Sequence, residues 1–175
     1  MEIINSSIMI HILPESILKK EIHEIDPLTT AIIICSDNNT SYQNIISNML
    51  LVCFADTTKR DHNAITRKQA REIIGFVRNL SAEIIDLYIC CSAGQSRSPA
   101  IAAAVLRMTG RSDKPIWENP FYVPNSLVYQ TICHEFDLFA PDWYVRKLVD
   151  LNRQCFLDSV NKGYTGKYER WQIIG

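Results

Sequence analysis

Cys91 and Arg97 bracket five small or polar residues, Ser92-Ala93-Gly94-Gln95-Ser96, and Ser98 follows. A thiol attacks as its thiolate, which a neighbouring cation and a helix N-terminus both favour. Arg97 supplies a permanent planar cation whose fork matches two phosphate oxygens. Gly94 allows the dihedrals and close approach by which successive N–H groups cradle an anion. One short stretch therefore offers a phosphate seat and a sulfur beneath it. The chemistry this predicts is phosphoryl transfer to cysteine.

Such a loop needs a strand to end at the cysteine and a helix to start near the arginine. Both are legible. Ile84–Cys90 is an apolar run, and Ala100–Met108 has high helix propensity with Gly110 as a C-cap. Ser98 is expected as N-cap and Pro99 as the first helical residue. Three further apolar runs, Ile8–Leu13, Ala31–Cys35 and Met49–Phe54, read as strands buried on both faces. Ser36-Asp37-Asn38-Asn39 is a turn signal after the second of these. Thr66 and Gln69 make a capping box, followed by Ala70, Ile73, Ile74 and Val77 on one helical face. Strand, loop, helix, strand is the crossover unit of an α/β domain. Pro120 and Pro124 mark a loop, and Ser126–Phe136 reads as a helix. Pro141 opens another reaching about Val160, with Val145, Leu148, Val149, Leu157 and Val160 available for packing. Residues 162–175 receive no assignment. The fold class expected is α/β, a mostly parallel sheet of about four to five strands flanked by helices. One domain spans 1–175, with its core at about 30–140 and a helical segment at 141–161.

Composition fits this reading. The chain has 175 residues, 47% hydrophobic and 21% charged, with a formal net charge of −1. That balance points to neither nucleic acid nor an anionic membrane as partner. Glu2 stands where a signal peptide would carry a basic residue, and no segment is apolar enough to cross a bilayer. A cytoplasmic monomer with reduced thiols is expected. The six cysteines, at 35, 53, 90, 91, 133 and 155, form no C-x-x-C pair, so neither a structural metal nor a cofactor is expected. Cys35, Cys53, Cys133 and Cys155 read as small core residues.

The run from Cys91 to Ser98 resembles the signature of cysteine-based protein tyrosine and dual-specificity phosphatases, in a compact bacterial-type form. Phe54-Ala55-Asp56-Thr57-Thr58 resembles the family's general-acid loop. Val123–Gln130 is similar to a Pro-Asn loop and helix of the compact type. The likeness covers roughly residues 30–140. It implies a protein tyrosine phosphatase-like fold and a phosphorylated protein or small phosphomonoester as substrate. The roles it implies are Cys91 as nucleophile, Arg97 and the loop from Ser92 to Ser96 as phosphate seat, Asp56 as acid and Ser98 as hydrogen-bond donor to the sulfur. One position departs: the family places His before the nucleophile, where this chain has Cys90. That histidine helps order the loop and favour the thiolate.

Alternatives stay open. Asp61, in the same loop, is the rival acid. His62, Lys59 and Arg60 read as solvated loop residues, the two cations bordering the cleft. Tyr122 and Trp143 read as core. The substrate could instead be a phosphoinositide, a nucleotide or an RNA 5′-phosphate, although the neutral loop side chains argue against the first. A module that binds phosphate without turnover is the third reading. Rhodanese-like transferases space cysteine and arginine differently, and arsenate reductases and low-molecular-weight phosphatases place the loop near the chain start.

Overall fold

In a computed structural model, described here for residues 6–37, 46–163 and 172–174, five strands form one sheet in the order β3-β2-β4-β1-β5. They are β1 (Met9–Pro14), β2 (Thr30–Ser36), β3 (Met49–Cys53), β4 (Asp86–Cys91) and β5 (Gln172–Ile174). The first four run parallel, with β4 between β2 and β1. β5 adds an antiparallel edge to β1, in the segment the sequence left unassigned. The helices are α1 (Glu15–Glu21), α2 (Arg67–Arg78), α3 (Arg97–Met108), α4 (Lys114–Trp117), α5 (Ser126–Glu135) and α6 (Asp142–Asn161).

Strand side chains alternate between faces, and the sheet separates two cores. On one face Ile10, Ile12, Ile33, Cys35, Ile89 and Cys91 pack with α2, α3 and α5. On the other, Leu13, Ile32, Ile34 and Cys90 pack with Leu18 and Ile22. Cys90 and Cys91 therefore point into different cores.

The capping box at Thr66 forms as expected, with Gln69 N donating to the Thr66 hydroxyl and Gln69 Oε1 accepting from Thr66 N. Gly110, at φ +76, ends α3 with two reversed bonds: its N–H donates to Arg107 O and Arg111 N to Leu106 O. Asp113 ties the helical layer together. Its Oδ2 accepts from Tyr129 Oη at 2.6 Å and from Trp117 Nε1 at 3.2 Å.

Several expectations need correction. α3 begins at Arg97 with Ser96 as N-cap, so Ser98 does not cap it. The turn beyond Gly94 enters the helix directly, and Pro99 falls later in the first turn, where a missing N–H is tolerated. Val149, Leu157 and Val160 are exposed, because α6 is buried on the body only at Val145 and Asn152. Trp143 is half-exposed rather than core, lying against Phe139. Cys53 and Cys155 are only partly buried, at the end of β3 and on outer α6. Tyr122, Cys35 and Cys133 are buried.

Replacing Asp113 by Ala would leave two buried donors without an acceptor. We expect a loss of about 2–4 kcal/mol, read by urea denaturation, with Asp113→Asn losing less.

Candidate active site

The loop Ser92–Ser96 leaves the carboxyl end of β4, the edge at which parallel α/β sheets bind ligands. Its shape is set by Gly94, at φ +66. A Cβ there would stand 2.7 Å from Pro14 N and 2.8 Å from the Leu13 carbonyl carbon. Only glycine combines that dihedral with that approach, so the loop is braced against the end of β1.

Two of its carbonyls are taken by neighbours. Gln95 O accepts from Val123 N at 2.8 Å, and Ser96 O from Asn125 N at 3.1 Å. Among the described residues, no amide N–H from Ser92 to Ser96 donates a hydrogen bond to a protein group. Consecutive uncommitted donors are what an anion cradle requires, and the start of α3 adds its positive end.

Arg97 is buried at 3% exposure, and a buried cation needs partners. Its Nη1 donates to Asp37 Oδ1 and to Phe54 O, both at 2.8 Å. Nη2 donates to Ser92 Oγ at 3.1 Å and more weakly to Asp37 Oδ2. Nε is buried and has no partner among the described residues. The guanidinium is thus pinned by the ends of β2 and β3 with one N–H left over.

Cys91 Sγ lies 3.2 Å from Ser98 Oγ, both buried. Ser98, relieved of capping, is within hydrogen-bond reach of the sulfur, and either atom can donate. Asp56 stands at the loop's rim, where Oδ1 accepts from Ser96 Oγ at 2.8 Å and from Asn125 Nδ2 at 2.7 Å. The same Asn125 caps α5 through its Oδ1 and donates to Thr57 O. Asp61 instead accepts from Asn63 N at 2.9 Å within its own turn, away from the cradle. His62, Lys59 and Arg60 are exposed on that loop.

The structure brings together Cys91, Arg97, Ser98, Asp56 and the loop residues Ser92 to Ser96, and leaves Asp61 outside. Cys90 lies on the other side of the sheet, its thiol 3.7 Å from Ile33 O. Burial, then Cys91, pushes the Cys90 thiol up. Burial likewise pushes up Cys35, which pairs with Cys91 in the β2–β4 register. Among the described residues no group of three or more His, Cys, Asp or Glu side chains is placed to hold a metal, and no helix is long and apolar enough to cross a membrane.

No protein-family model matches the chain, and no curated protein matches its sequence. Solved structures to which it is similar include the crystal structure of DUSP15, at 21% identity over 82% of this chain and 88% of that one, with a TM-score of 0.47. Two crystal structures of PTPMT1 also match at 14% identity. One, in complex with PI(5)P, covers 89% of this chain and 96% of that one at a TM-score of 0.45. The other covers 90% and 97% at 0.40. At these levels of similarity it is the loop's geometry that carries chemical meaning.

Two site residues escaped the sequence reading. Asp37 read only as part of a turn, although an acid just past a parallel strand is well placed to meet an arginine at the same sheet edge. Asn125 lay in the Pro-Asn stretch without an assigned role, and its dual bonding needs β3, α3 and α5 to be assembled.

Two outcomes are expected. Gly94→Ala should remove binding of a tetrahedral oxyanion such as vanadate while leaving the far-UV spectrum intact. The raised thiols of Cys35 and Cys90 favour the folded state below the ordinary thiol value of about 8.5, and that contribution is lost as pH rises above it. Urea stability should therefore fall on the alkaline side, and Cys90→Val should flatten the fall.

Proposed function

We propose that this chain is a metal-independent phosphomonoesterase that works through a cysteinyl-phosphate, acting on phosphotyrosine or, with dual specificity, on phosphoserine and phosphothreonine in proteins. The observation that carries this reading is the stacking of three features at one strand end. These are uncommitted amide donors, an arginine with a spare buried N–H, and a sulfur with a hydroxyl 3.2 Å away. A module that only binds phosphate would use the first two. A hydroxyl within hydrogen-bond reach of the sulfur supports turnover, because by donating to the thiolate it stabilises sulfur as a leaving group.

In the first step the Cys91 thiolate attacks phosphorus in line. An S–P bond forms, the P–O ester bond breaks, and Asp56 protonates the departing oxygen. The loop amides and Arg97 hold the equatorial oxygens throughout. In the second step Asp56 takes a proton from water, the water oxygen bonds to phosphorus, and the S–P pair returns to sulfur. Ser98 donates to the thiolate as it leaves. The hydrogen bonds from Ser96 and Asn125 hold the Asp56 carboxyl at the rim of the loop through Oδ1, and in this reading the proton is on Oδ2. Neutral side chains at Ser92, Ala93, Gln95 and Ser96 support a protein substrate over a phosphoinositide, whose several phosphates call for cations in the loop.

A panel of phosphopeptides, phosphoinositide vesicles and an aryl phosphate, with vanadate as inhibitor, tests the reading. Cys91→Ser should abolish turnover yet still bind phosphopeptide, and turnover surviving in that variant would refute the nucleophile. Asp56→Ala should lower kcat by about 10²–10⁴-fold and Asp61→Ala far less. The reverse ranking would transfer the acid role to Asp61.

A further inference from the structure

A pocket of about 400 Å³ between the acid loop, α5 and α6 has no part in the steps above. One wall is the acid loop at Thr58 and Arg60, another the first turn of α5, and the third one face of α6. It adjoins the chemistry by connectivity. Thr58 is two residues beyond Asp56, and Ser126 follows the Asn125 whose amide holds that carboxylate. Its size falls in the range of ligand sites. The floor is apolar, built from the buried Leu127 and Val145 and the accessible Val149. Gln130 fixes one wall, donating through Nε2 to Ala140 O at 3.0 Å and to Asp142 Oδ1 at 2.7 Å.

The charges around it decide what it can take. Arg60 and Arg146 line the pocket together with Asp142 and Asp150. Two guanidiniums and two carboxylates balance each other in the lining, so a second phosphate or an anionic bilayer gains little there. The neutral floor is what remains to reward a ligand, and its reward comes chiefly from covering Val149, since Leu127 and Val145 are already buried. Mixed, nearby charges also suit the alternating N–H and C=O groups of a peptide backbone.

We propose that this pocket is a specificity subsite that receives a large apolar side chain of the phosphorylated polypeptide, within about three residues of the phosphorylated one. The assignment rests on the phosphatase reading above. An extended chain advances about 3.3 Å per residue, so a substrate anchored by phosphate in the cradle carries its near neighbours past the acid loop and over the pocket.

The test uses phosphotyrosine peptides in which Leu or Phe is scanned against Ala and Asp at the three positions on either side, together with p-nitrophenyl phosphate and phosphatidylinositol phosphate vesicles. At one position Leu or Phe should raise kcat/KM about 10- to 100-fold over Ala, mainly through KM. Val149→Trp, which fills the pocket, and Val149→Asp, which charges its floor, should each bring the Leu-to-Ala ratio down to about 1. The ratio is independent of how much of each variant folds. A flat scan, a ratio unchanged in both variants, or turnover of vesicles in place of peptides overturns the subsite while aryl phosphate turnover keeps the phosphatase reading. If the wild-type chain hydrolyses neither peptide nor aryl phosphate, that reading has failed and the subsite falls with it.

Discussion

The site depends on keeping a guanidinium buried at one end of a parallel sheet. Arg97 is at 3% exposure, and leaving its charge there unpaired would cost several kcal/mol. The structure meets that demand with groups from three chain segments: the Asp37 carboxylate after β2, the Phe54 carbonyl after β3, and the Ser92 hydroxyl in the loop itself. Each partner is also a positional constraint. To satisfy one cation, the ends of β2, β3 and β4 must arrive together. The same convergence sets the Asp56 loop, which starts at Phe54, against the loop that leaves β4, where Asp56 accepts from Ser96.

What could be read from the sequence follows from how local each determinant is. The Cys91–Ser98 run is local, and so are the apolar strands, the capping box at Thr66 and the glycine end of α3. These announce themselves through spacing and residue type. The start of α3 did not, because Ser98 and Pro99 make as good a local cap and first turn as Ser96 and Arg97. Only the backbone direction imposed by Gly94 against Pro14 chooses between them. Asp37 and Asn125 were illegible for the same reason. Their partners lie 60 and 69 residues away. The outer face of α6 was misread because spacing reveals an apolar stripe but not whether another element covers it.

Cys90 raises the question of how the loop is ordered without the histidine that the resembled family places there. The alternation of a strand sends position 90 into the core beneath α1, opposite the sulfur, where a small apolar thiol packs among Leu13, Ile32 and Ile34. Support for the loop comes from elsewhere. Gly94 abuts the Leu13–Pro14 peptide, two loop carbonyls are taken by Val123 and Asn125, and two loop hydroxyls are held by Arg97 and Asp56. These contacts fix the backbone from the front, where a residue at position 90 could act only from behind the sheet. They also leave the amide N–H groups uncommitted, since every brace falls on a carbonyl, a hydroxyl or a Cα. A loop held in this way is braced in its frame and unsatisfied in its interior, the combination that an anion cradle requires.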